Sequence, residues 1–85
     1  MTRYYIIDLI ADDTDDIIFE TNEKDFYDQM EDNYQIAKEE GDRVPDHEQM
    51  VEAYASEDNH EEAFNAFSFL KLTDMTPQEW GYWPT

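Results

Sequence analysis

Asp12, Asp13, Asp15 and Asp16 put four carboxylates within five residues, interrupted only by Thr14. Clustered carboxylates can hold a hard cation, or they can accept charge-assisted hydrogen bonds from arginine and lysine. Calcium needs about six to eight oxygens at fixed loop positions, with glycine sixth and glutamate twelfth in the helix–loop–helix form. Counted from Asp12, the twelfth residue is Glu23, which fits, but the sixth is Ile17, which does not. Residues from Ile17 onward also carry the pattern of a strand. Loose cation association and contact with basic side chains are expected here, with no dedicated metal site.

Other reactive types give less. His47 and His60 each precede glutamates, but no His-Glu-x-x-His zinc pattern exists. Both are expected in first turns of helices, open to solvent, and neither is assigned as a ligand. Ser56 and Ser68 lack a nucleophile motif, there is no cysteine, and the 2 glycines form no phosphate loop. Carboxylates are so abundant that any two could be named an acid–base pair, which empties the assignment of information. A binding protein is expected, not an enzyme, with no cofactor.

A second set of carboxylates follows a helical period. Asp25, Asp28, Glu31, Asp32 and Glu39, with Gln35, lie off the apolar stripe of the helix expected there. Asp28, Asp32 and Glu39 form a row rising ~5.4 Å per turn. Like charges at that spacing weaken an isolated helix by roughly 0.2–0.5 kcal/mol per pair. Only Lys24 and Lys38 relieve them. A third set is Glu48, Glu52, Glu57, Asp58, Glu61 and Glu62. Among the aromatics, Tyr4, Tyr27, Tyr34, Tyr54 and Trp80 are expected mostly in the core. Tyr82 and Trp83 are the candidates for aromatic contact with a partner, where such side chains supply area amid polar contacts.

The elements that must position these residues are legible in outline. Tyr4–Ile10 reads as a strand whose odd side, Tyr5, Ile7 and Leu9, faces the core. Ala11–Asp16 is a polar turn, and Ile17–Glu20 a second strand with Ile17 and Phe19 on one face. Thr21 or Asn22 caps a helix from about Glu23 to Glu40, stopped at Gly41, with Phe26, Met30, Tyr34 and Ala37 inward. Asp46 with Gln49 opens a second helix carrying Met50, Val51, Tyr54 and Ala55. Asn59 with Glu62 repeats that arrangement ahead of Ala63, Phe64, Phe67 and Leu70, so a third helix is expected to about Leu70. Phe67–Thr73 also admits a strand. Thr76-Pro77-Gln78-Glu79 marks a helical turn, and the aromatic tail after it is expected to dock. The expected architecture is a single α+β domain over residues 1–85: an N-terminal antiparallel β-hairpin packed against two or three α-helices, with a short C-terminal helical turn.

Composition sets the scale of the charge. The chain of 85 residues holds 23 Asp and Glu against 5 Lys and Arg, a net of −18. The ordinary range for a small soluble domain is about 2–8 in magnitude, and the excess destabilises the fold by self-repulsion. With 5 Phe, 6 Tyr and 2 Trp the chain can still bury a core, since each buried aromatic removes roughly 150–250 Å² from water. A globule of this length is roughly 30 Å across. About 30 Å of duplex DNA carries ~18 charges. The first apolar run breaks at Asp8, too early for a signal peptide or membrane span, so a cytoplasmic protein is expected.

In composition and size alone, the chain resembles the DNA-mimic inhibitors of phages and mobile elements. Such proteins block restriction enzymes, CRISPR effectors, repair enzymes or nucleoid proteins. The resemblance implies a basic, nucleic-acid-binding protein as partner, with no direct contact to nucleic acid or membrane, and a monomer or homodimer. The expected contact residues are Asp12, Asp13, Asp15, Asp16, Asp28, Glu31 and Asp32, with Tyr82 and Trp83. Two other readings carry weight: an immunity protein or antitoxin neutralising a basic nuclease, and a regulatory interaction module whose contact is apolar and whose acidity serves solubility.

Overall fold

The computed structural model describes residues 1–9 and 17–82. The elements run β1 (Thr2–Asp8), β2 (Ile17–Thr21), α1 (Glu23–Glu39), α2 (His47–Ser56), β3 (His60–Phe64), β4 (Phe67–Thr73) and α3 (Pro77–Trp80). The strands form one antiparallel sheet in the order β2-β1-β4-β3, so β1 and β4 are central. The fold is α+β, with the expected N-terminal strand pair and short C-terminal helix.

Paired residues share a face of the sheet, and the two faces have different covers. On one face Tyr4, Ile6 and Phe69 meet Phe26, Met30, Tyr34 and Ala37 of α1 and Met50 and Tyr54 of α2. On the other, Tyr5, Ile7, Leu70 and Leu72 form a smaller core packed with Ile18, Met75 and Tyr82. The odd side of β1 is therefore buried at Tyr5 and Ile7, as expected, but beneath the C-terminal segment. The main helices lie on the even side, and Leu9 is exposed.

The expected third helix is a β-hairpin, and the strand that Phe67–Thr73 also admitted is β4. β4 is buried on both faces from Ser68 to Leu72. Such a strand reads as a near-continuous apolar run, which periodicity alone does not distinguish from a buried helix. The turn decides the matter. Asn65 and Ala66 have φ of 51° and 61°, and Phe64 pairs with Phe67 across them. Positive φ at both central residues is the two-residue turn whose twist matches that of the flanking strands. Asn65-Ala66 builds it without the usual glycine, so the signal was hidden. Asn59 is no helix cap. Its side-chain oxygen accepts from the Thr73 backbone N–H at 2.9 Å.

The helix ends follow local chemistry. Asn22 accepts from the Asp25 N–H, Asp46 from the Gln49 N–H, and Thr76 from the Glu79 N–H. Each satisfies a donor that the first turn leaves without a partner. Gly41, at φ 79°, supplies the left-handed backbone after α1.

Candidate partner-binding surface

Phe26, Met30, Tyr34 and Ala37 pin one stripe of α1 to the sheet. At ~100° per residue, the opposite stripe carries Asp28, Asp32 and Glu39, with Asp25 and Glu31 on either side. All five are exposed. Asp28 and Asp32 are separated by ~6 Å of helix rise. α1 and α2 share one layer, so the exposed Glu48 and Glu52 of α2 extend the same acidic surface. The helices are joined across it by His47 Nε2 and Glu31 Oε2, and His47 packs edge-on against Tyr34.

Few cations offset this field. Lys24 bonds Asp28 at 2.8 Å, and Arg3 lies 3.9 Å from Glu20. Lys71 is buried, its ammonium committed to backbone carbonyls. Glu31 is held below the ordinary carboxylate range, first by the Gln35 amide and then by His47.

Of the expected contact residues, the fold brings Asp28, Glu31 and Asp32 together on one exposed stripe. Asp12, Asp13, Asp15, Asp16 and Trp83 lie outside the described residues. Tyr82 is half-buried. It packs on the smaller core, its backbone N–H donates to the Pro77 carbonyl, and its hydroxyl lies 3.4 Å from Ser68 Oγ. Beside it, Glu61 accepts from the Trp80 indole and the Ser68 hydroxyl.

His60 departs from its expected place. It lies in β3, not in a helix, and its side chain is mostly buried. Its Nδ1 meets Glu57 at 2.9 Å, and its Nε2 lies 3.2 Å from Glu62 but makes no hydrogen bond. Among the described residues, no group of three or more histidines and carboxylates is arranged to hold a metal ion. Nor is any described helix long and apolar enough to cross a membrane.

One surface feature escaped sequence reasoning. Ile17 and Phe19 of β2 are exposed, although they pair with β1 on the helix-bearing face. Their alternation says only that they share a side. That the helical layer does not cover β2 is a property of the assembled fold.

No family model, curated protein or solved structure matches the chain.

Proposed function

We propose that this protein is an acidic inhibitor of the DNA-mimic type. It occupies the basic nucleic-acid-binding surface of a host defence or DNA-processing protein, of the anti-restriction or anti-CRISPR kind, and is encoded by a phage or mobile element. The observation that carries this reading is the row Asp28, Asp32 and Glu39, flanked by Asp25 and Glu31, on a body with a net charge of −18 and extents of 34 × 32 × 18 Å. About 34 Å of duplex carries ~20 phosphate charges. A rigid helix sets the carboxylate spacing in advance, so little conformational entropy is lost on docking. Proteins that bind DNA present lysine and arginine to phosphates, and the same side chains form charge-assisted hydrogen bonds with carboxylates.

The experiment is capture on the immobilised protein at low salt, identification of the retained protein, and competition against its own DNA. The expected result is displacement of DNA with an affinity that falls steeply with salt. The combined change Asp28→Asn, Glu31→Gln and Asp32→Asn weakens it by about ten- to a hundredfold. Capture of a protein that binds equally well at low and high salt sinks the proposal.

A further inference from the structure

β2 is an edge strand with little protection. Natural edges are blunted by charges, proline, bulges or a covering element. The opposite edge, β3, carries Glu61 and Glu62. β2 reads Ile17-Ile18-Phe19-Glu20-Thr21, with one charge and no proline, and among the described residues no strand lies beyond it in the sheet. Ile17 is 46% and Phe19 53% exposed. Ile17 and Phe19 thus form an apolar strip along the outer rim on the helix-bearing face. On the other face β2 borders a cleft of about 290 Å³ lined by Tyr5, Ile18, Pro77 and Thr76, with Arg3 and Glu20 at its polar side.

Strand addition uses a terminal strand of a sheet and a surface on each side for alternate side chains, here the exposed Ile17 and Phe19 on one face and the cleft on the other. The charge selects the occupant. A second copy would bring another −18 against the first. A basic segment is attracted instead, since Glu20, Glu23 and Asp25 are exposed on and just after β2.

We propose that β2 is a docking edge that takes an extended segment of a basic partner as a fifth strand, one face apolar on Ile17 and Phe19 and the other carrying lysine or arginine toward Glu20. This rests on the charge-driven reading above and adds the place and backbone mode of contact. It divides the interface into a screened acidic stripe on α1 and a main-chain contact that salt affects less.

The test uses the intact protein and a synthetic peptide of alternating lysine and valine. A second peptide of the same sequence is N-methylated at alternate residues, so that one edge cannot donate. Affinity is measured at about 50 mM and about 500 mM salt, and amide exchange is followed residue by residue. The first peptide is expected to bind and to slow exchange within residues 17–21. N-methylation, or Phe19→Thr in the protein, is expected to cost about tenfold or more. Threonine keeps the strand preference, and circular dichroism verifies the fold of the variant. Equal binding of both peptides with a steep salt dependence overturns the docking edge and leaves the acidic reading standing. N-methyl-sensitive binding that salt weakens supports the proposal, whereas N-methyl-sensitive binding that ignores salt overturns its basic occupant and sinks the acidic reading with it. No binding of either peptide, or a dimer without peptide that Phe19→Thr abolishes, overturns the proposal.

Discussion

The Lys71 ammonium donates to the Glu57 carbonyl oxygen at 2.6 Å and also to the Tyr54 carbonyl. These carbonyls belong to the last turn of α2 and its C-cap. A helix C-terminus leaves carbonyls unpaired and carries partial negative charge, so a cation there satisfies both needs. Lys71 belongs to β4, and the contact fastens the second helix to a central strand.

Replacing that cation therefore has a defined cost. Lys71→Met keeps the bulk but leaves both carbonyls without this donor. Hydrogen bonds to charged groups contribute roughly 1.5–3 kcal/mol, partly offset by relief of the buried charge. The expected loss is about 1–3 kcal/mol in urea unfolding, with faster amide exchange in the last turn of α2. Unchanged exchange in that turn would rule the contact out as a fastener.

Ala66 stands at φ 61° in the β3–β4 turn. A residue with a Cβ is strained there, and glycine is not. Ala66→Gly is expected to stabilise the protein by about 1 kcal/mol, the relief of strain exceeding the added freedom of the unfolded chain. Thermal unfolding measures it. A lower Tm would contradict the turn assignment.

Salt should act in opposite senses on folding and on binding. Going from about 0.01 M to about 1 M shortens the screening length from ~30 Å to ~3 Å. Self-repulsion in a chain of net −18 is relieved, so Tm rises, while affinity for a basic partner falls. A Tm that does not move with sodium chloride would show that repulsion contributes little to the stability of this fold.

The pH limits have assignable causes. Tyr27 is pushed up to about 12, chiefly by burial and then by Tyr4 and Glu23. Tyrosine in the unfolded chain ionises near ~10. Above that pH the unfolded state loses its proton first, so stability falls between ~10 and about 12. Burial pushes Tyr54 further in the same direction, and its hydroxyl donates to the Phe69 carbonyl at 2.5 Å. Glu31 works at the acid end. Its folded value lies below the unfolded ~4.3, so its contribution is present above that pH and lost as pH falls through the folded value. Tyr27→Phe should flatten the alkaline limb and Glu31→Gln the acid limb of a stability–pH curve. If the limbs are unchanged, other groups set them.

Much of the architecture was written locally. Asn22, Asp46 and Thr76 announce helices because each cap acts within three residues of itself. The stripe Phe26, Met30, Tyr34 and Ala37 fixes which side of α1 faces inward, and hence that Asp28 and Asp32 face outward. The hairpin of β3 and β4 was not legible, because a strand buried on both faces has no alternation and its turn uses alanine where glycine is usual. The same two-sided burial explains why β1 could not reveal which of its faces the helices cover.

The sequence by itself determined the charge, the helix caps and the outward stripe of α1, since composition and nearest-neighbour chemistry suffice for these. Only the tertiary structure decided that Lys71 serves α2 from β4, that Tyr82 is half-buried on the smaller core, and that β2 is an edge strand of the sheet. Each depends on which strands become neighbours. Strand order is set by how the whole chain buries its apolar surface, through pairings between residues far apart in sequence that no local pattern encodes.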